Sequence, residues 1–175
     1  MGIHAQRPEA VGELVSGDGF KEPIPLVLDN EELIRELANL IWETHDKLAE
    51  KFTMFNPTAL QKSDAIGRLE SVIGAAYCTH FGIPPTERFA DAFDQAACFC
   101  EHLAKDHIFH DGNKRTALLM LGGMIWLCGY DITLVDAPNP EENDAYRWIQ
   151  ELVSGTITSS ELASLVRKNA VRRLE

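Results

Sequence analysis

The sequence predicts an all-α protein, built as a compact helical bundle around one buried helix. Apolar residues recur at helical spacing in several segments, Gly and Pro residues separate those segments, and residues 113–128 are apolar on nearly every side. A helix that is apolar all round is typical of a core position, so we expect residues 113–128 to form the central helix. The 175 residues suit one domain with a substantial core.

Each predicted helix has a recognisable start or stop signal. Asp29 or Asn30 caps the first helix, Gly129 ends the central one, and Thr158 with Glu161 forms a capping box at the start of the last. The predicted helices cover residues 30–55, 66–78, 87–107, 112–128, 140–153 and 158–173.

The N-terminal segment differs from the rest of the chain. Residues 1–28 are rich in Gly and Pro and are predicted to be an irregular extension, whereas residues 29–175 form the helical domain. Only short apolar runs such as residues 24–28 are compatible with an extended conformation, as in a flap or hairpin.

Composition and charge exclude several classes of protein. The formal net charge of -11 argues against a direct nucleic-acid partner, because neutralising phosphates needs a surplus of Lys and Arg. No apolar run is long enough to span a membrane, and the N-terminus lacks the pattern of a signal peptide. The four cysteines do not form a disulfide framework, and Cys98 and Cys100 do not face each other on a helix as zinc ligands would. We therefore expect a cytoplasmic protein with reduced thiols.

The segment with the strongest chemical pattern is residues 107–116, with the sequence HIFHDGNKRT, at the start of the predicted central helix. A helix N-terminus presents free backbone N–H groups and the positive end of the helix dipole, which together favour an anion. Gly112 lets a ligand approach the backbone, Asn113 adds an amide, and Lys114 and Arg115 add two cations suited to phosphate.

The same segment contains a candidate base and a candidate metal ligand. His107 has the side chain best suited to accept a proton near neutral pH, and Asp111 supplies the oxygen ligand that Mg²⁺ prefers. In isolation, Gly-Asn at a helix start more often forms a simple turn or cap than a binding site, and a single His is more often structural than catalytic. Their occurrence within nine residues favours a functional site. A metal cluster that combines His107 with His102, Asp106 and His110 is an alternative, although the HExxH arrangement is absent.

These residues resemble the signature of the Fic/Doc superfamily. That signature is matched in order by His107, Phe109, Asp111, Gly112, Asn113, Lys114 and Arg115. Residues 67–73, with the sequence GRLESVI, are similar to an upstream stretch of Doc-like proteins, and the likeness extends over residues 30–173. At the position of Lys114, the Doc (death-on-curing) branch has Lys and Fic adenylyltransferases have Gly, so the sequence resembles the Doc branch here.

The resemblance implies a helical Fic/Doc fold and a role for each matched residue. His107 would be the catalytic base, Phe109 a core anchor, and Asp111 the Mg²⁺ ligand. Gly112, Asn113, Lys114 and Arg115 would bind the phosphates of ATP.

The Doc-like Lys114 implies a toxin enzyme that transfers the γ-phosphate of ATP to a Ser/Thr hydroxyl of a target protein such as elongation factor Tu, which would arrest translation. Protein adenylylation (AMPylation) and, less favoured, a degenerate binding protein are the alternatives. No inhibitory Ser/Thr-x-x-x-Glu helix is found near either end, so we expect control in trans by an antitoxin.

Overall fold

A computed structural model describes residues 23–52, 59–135 and 137–173. Within these ranges the chain forms seven α-helices, one short 3-10 helix and two three-residue strands, so the all-α prediction is confirmed. The helices are α1 (Glu31–Lys51), α2 (Ala59–Tyr77), α3 (Pro85–Arg88), α4 (Ala92–Lys105), α5 (Asn113–Leu127), α6 (Asp144–Ser154) and α7 (Ser159–Asn169). None of the described helices is both long and apolar enough to cross a membrane.

Capping residues mark several of the helix ends. The side chain of Asn30 accepts hydrogen bonds from the backbone N–H groups of Glu32 and Leu33, which identifies it as the cap of α1. The capping box predicted for Thr158 and Glu161 is present at the start of α7. Gly129 follows α5 with a φ of 88°, the left-handed conformation that ends a helix.

Several predicted helix boundaries are wrong. Helix α2 begins at Ala59, seven residues before the predicted start at residue 66. The single helix predicted over residues 87–107 is two helices, because Asp91 caps α4 with its side chain and takes an extended backbone conformation. The helix predicted from residue 140 begins at Asp144, where Asn143 is the cap, and is preceded by the 3-10 helix Pro140–Glu142.

The centre of the bundle is shared by two helices. Helix α5 buries one face against α4, but Leu119, Trp126 and Leu127 on its other side are at least half exposed, so it is not buried on nearly every side. Helix α4 contacts α2, α5, α6 and α7. Most of its residues are buried, including Phe99 and Leu103. The start of α5 holds the predicted anion site, and a well-packed core therefore supports it.

A small antiparallel sheet connects the segment after α5 with the segment after α7. Strand β1 (Tyr130–Ile132) pairs with β2 (Ala170–Arg172), and Tyr130 lies opposite Arg172. The last helix was predicted to continue to residue 173, but it ends at Asn169 because the chain enters this sheet. The two strands anchor the end of α7 to the end of α5.

Residues 23–28 run along the bundle without forming a regular element. The Leu28 N–H donates to the Tyr77 carbonyl oxygen at 2.8 Å, and Leu26 exchanges two hydrogen bonds with the buried side-chain amide of Gln95, each of 2.7 Å. These bonds satisfy backbone groups that the bundle would otherwise leave unpaired. Residues 1–22 of the predicted extension lie outside the described residues.

Candidate active site

His107 lies in the turn that connects α4 to α5, and its backbone is strained. Its φ is 48°, a left-handed conformation that costs a non-glycine residue roughly 1–2 kcal/mol. Glycine is the usual residue in this position just after a helix. The imidazole is exposed, and it has no hydrogen-bond partner among the described residues. A strained position occupied by an exposed imidazole suggests that the side chain is needed for function rather than for packing.

Arg68 of α2 holds this turn in place. Its guanidinium donates one hydrogen bond of 2.9 Å to the His107 carbonyl oxygen and another to the Asp106 carbonyl oxygen. Carbonyl groups at the C-terminal end of a helix lack partners within the helix and carry partial negative charge, so they favour a cation. Arg68 thereby fixes the backbone from which the His107 side chain extends.

Phe109 is buried and fixes the loop to α1. Its ring stacks on the buried imidazole of His45, with centroids 3.7 Å apart and an interplanar angle of 8°. Trp42 packs against the same ring at a centroid distance of 6.0 Å. His45 Nδ1 lies 3.2 Å from the Thr116 hydroxyl in the first turn of α5, within hydrogen-bond distance. Residues 111–115, the anion loop, lie between Phe109 and Thr116, so the aromatic cluster joins both ends of this loop to α1.

Burial changes the pKa of the His45 imidazole. Loss of solvent lowers its pKa, while the neighbouring carboxylates of Asp46 and Asp111 act in the opposite direction. Because the lowered pKa favours the uncharged ring, His45 is a neutral member of the aromatic cluster near neutral pH.

Two side chains shape the loop from within. The Asn113 amide donates to the Phe109 carbonyl oxygen at 2.7 Å and accepts from the Phe109 N–H at 3.0 Å. Asn113 was predicted to bind phosphate, and in this structure its side-chain amide bonds to the Phe109 backbone. Gly112 has a φ of 77°, and Asp111 Oδ1 accepts the Gly112 N–H at 2.6 Å. The positive φ explains why a glycine precedes the helix.

A cavity of about 370 Å³ opens at the N-terminus of α5. One wall is the anion loop with His107, and the other is the face of α6 that presents Tyr146 and Gln150. The Lys114 ammonium donates a hydrogen bond of 2.6 Å to Gln150 Oε1, and both residues line the cavity. All the predicted site residues except Phe109 line this cavity: His107, Asp111, Gly112, Asn113, Lys114 and Arg115.

Arg115 has a second contact at the edge of the site. Its guanidinium carbon lies 4.8 Å from the ring centroid of Phe52, in a cation–π arrangement with the residue that ends α1. Arg115 is exposed and lines the cavity. Of the two predicted cations, Lys114 therefore contacts α6 and Arg115 lies near the end of α1.

A second cavity, of about 420 Å³, is also lined by His107. It is bordered by polar side chains from α2, which are Gln61, Asp64 and Arg68, and by His110. Both cavities are lined by His107 and His110, so the candidate base is shared by the two cavities.

The donor set at the loop is compatible with Mg²⁺ bound together with phosphates. Among the described residues, no group of three or more His, Cys, Asp or Glu side chains is placed to hold a metal ion by itself. Mg²⁺ in nucleotide sites is commonly held by one or two carboxylates, phosphate oxygens and water. Asp111 lines the cavity, and only one of its two oxygens receives the Gly112 N–H, so it fits that role.

Arg68, His45 and Gln150 were not assigned roles from the sequence. Arg68 and His45 fall within stretches that carry the family resemblance, but their partners are 38 to 71 residues away in the chain. The α6 residues that face the cavity have the spacing of one helix face, which by itself is equally compatible with a core contact.

Comparison with known families agrees with the geometry of the loop. A model described as the Fic/DOC family matches residues 30–124, which is more than half of the chain. The chain therefore belongs to the Fic/DOC family. Members of this family are typically protein-modifying transferases that use a nucleoside triphosphate, generally with Mg²⁺. No curated protein matches the chain.

Proposed function

We propose that this protein is a Doc-like kinase that transfers the γ-phosphate of ATP to a Ser/Thr hydroxyl of a target protein. The observation that carries the proposal is the position of Lys114. Its side chain lines the cavity at the start of α5 and bonds to Gln150, at a position where the Fic branch, by the resemblance described above, has a glycine. A lysine side chain occupies space and adds a positive charge at the place where that glycine leaves room for the β-phosphate. We infer that the nucleotide binds in the reversed orientation, with its γ-phosphate towards His107.

The proposed reaction uses the loop residues in distinct roles. His107 removes the proton from the target hydroxyl, and the resulting oxygen nucleophile forms a bond to the γ-phosphorus. The bond between that phosphorus and the oxygen bridging to the β-phosphate breaks, and ADP leaves with the electron pair. Positioning and charge stabilisation supply most of the catalysis in such a transfer. The α5 backbone N–H groups with Gly112, and the side chains of Lys114 and Arg115, provide the positive potential.

Two further side chains complete the proposed site. Asp111 would hold Mg²⁺ together with phosphate oxygens, and the ion would neutralise charge on the phosphates. Asn113 contributes indirectly, because its bonds to Phe109 hold the shape of the loop.

The second cavity supports an approach path for the acceptor. The hydroxyl and the nucleotide must reach the imidazole from different directions for an in-line displacement. His107 lines both cavities, and in this proposal the nucleotide occupies the one beside Lys114 and the target segment the one beside Arg68. Elongation factor Tu is the target class that the resemblance implies, and an antitoxin acting in trans is the corresponding partner. The exposure of His107 is compatible with control by a separate molecule.

Labelled ATP tests the proposal and its alternatives in one experiment. The purified protein is incubated with a cell lysate, Mg²⁺ and ATP labelled at either the α- or the γ-phosphate. We expect protein-bound label only from γ-labelled ATP, and none with His107→Ala. Label only from α-labelled ATP would establish adenylylation instead. Absence of label from both, with a folded protein, would indicate a binding protein.

A further inference from the structure

Gln150 is the α6 residue that contacts the anion loop through the Lys114 ammonium. The distance from Lys114 Nζ to Gln150 Oε1 is 2.6 Å, and both side chains are partly buried at the wall of the 370 Å³ cavity. A lysine side chain has four rotatable bonds and samples many conformations when it is free. A short hydrogen bond to a residue on a rigid helix restricts that freedom and defines where the positive charge lies.

The chemical nature of the partner also matters. An amide oxygen accepts a hydrogen bond without cancelling the positive charge, whereas a carboxylate would form an ion pair and add a negative charge facing the nucleotide. An ammonium has three donor hydrogens, so Lys114 can donate one to Gln150 and still offer two to a phosphate. Glu151, the next residue of α6, does not line the cavity. Of the adjacent residues Gln150 and Glu151, the sequence therefore places the neutral one on the cavity side.

We infer that Gln150 is a positioning residue that aims the Lys114 ammonium at the phosphates of the bound nucleotide and so favours transfer of the γ-phosphate. This inference rests on the proposed function. It assigns α6 a role in the specificity of the reaction that the motif loop alone does not carry. Gln150 acts through Lys114, so removing it has consequences only while that lysine is present.

A double-mutant cycle measures this dependence. Equilibrium binding of Mg·ATP and the transfer of label from γ-labelled ATP are compared for wild type, Gln150→Leu, Lys114→Met and the double variant. Gln150→Leu should weaken Mg·ATP binding by about tenfold, the scale of one hydrogen bond to a charged group. In the Lys114→Met background the same change should have no further effect. The matched control Glu151→Gln, on the same helix but outside the cavity, should bind Mg·ATP as wild type does.

Gln150→Glu provides a second readout that a purely structural role would not alter. The added carboxylate should weaken Mg·ATP binding, and the loss should become smaller as salt concentration rises, because the repulsion is electrostatic.

The outcomes separate the inference from the proposed function. The inference is wrong if wild type transfers γ-label while the effects of Gln150→Leu and Lys114→Met simply add. A wild-type protein that binds no Mg·ATP, or that transfers only α-label, would overturn the proposed function and with it the inference.

Discussion

Replacing His107 by glycine should make the protein more stable and inactive at the same time. The residue has a φ of 48°, and an L-amino acid in this conformation costs roughly 1–2 kcal/mol. Glycine removes that cost but loses more backbone entropy on folding, which offsets about 0.5–1 kcal/mol. The imidazole is exposed, so little packing is lost. The expected net gain in the free energy of unfolding is about 0.5–1 kcal/mol, or about 2 °C in Tm for a domain of this size.

Two control variants separate strain from the loss of the side chain. His107→Ala keeps the Cβ atom and the strain, so it should abolish transfer without raising Tm. Phe81 has a φ of 51° and a fully exposed side chain in the turn after α2, away from the cavities. Phe81→Gly should therefore raise Tm by a similar amount and leave transfer unchanged. Thermal unfolding measures Tm, and the γ-label assay measures transfer. A His107→Gly protein that is less stable than wild type, or still active, would refute the argument that strain is retained for catalysis.

Three further predictions concern the surroundings of His107. Arg68→Met should lower the rate of phosphate transfer by about tenfold, because the carbonyl oxygens of Asp106 and His107 each lose a hydrogen bond. Arg35→Met, at an exposed position of α1, should leave the rate unchanged, and equal rates for the two variants in a γ-label assay would contradict this. Asp111→Asn retains an oxygen for the Gly112 N–H but removes the charge, so Mg²⁺-dependent transfer should fall while Tm changes little; unchanged Mg²⁺ dependence would remove Asp111 from its proposed role. His45 has a lowered pKa, so the folded protein takes up its proton less readily than the unfolded chain. Its contribution to stability is present above the ordinary imidazole pKa of about 6.5 and is lost as pH falls through the lowered pKa. Wild type should therefore lose more stability on acidification than His45→Gln, and parallel unfolding curves for the two proteins would show that His45 does not titrate on unfolding.

The loop between α4 and α5 could be predicted from sequence because its residues are contiguous. His107, Gly112 and Lys114 lie within eight positions, and a glycine followed by polar residues and an apolar run indicates a helix start. The apolar periodicity and the caps likewise predicted the long helices. The side chain of Asn113 shows the limit of this approach, since the residue type allows either phosphate binding or bracing of the loop, and its bonds to Phe109 depend on the loop conformation.

The remaining features depend on contacts between distant parts of the chain. Gln150 lies 36 residues from Lys114, and nothing in the local pattern distinguishes a cavity-facing position on α6 from a core one. The pairing of β1 with β2 involves three residues in each strand, too few to produce a clear alternation of polar and apolar residues. Asp91 could be read as a helix residue by propensity, but its side chain caps α4 and pairs with Arg167 at 2.7 Å.

The chemical group added to the target tests the central claim most directly. The purified protein is incubated with unlabelled Mg·ATP and either a cell lysate or purified elongation factor Tu, and the modified residue is identified by mass spectrometry. Transfer of the γ-phosphate at the cavity beside Lys114 predicts a single phosphate on a serine or threonine, absent with His107→Ala. An AMP group on that residue would contradict the claim and show that Lys114 does not reverse the nucleotide.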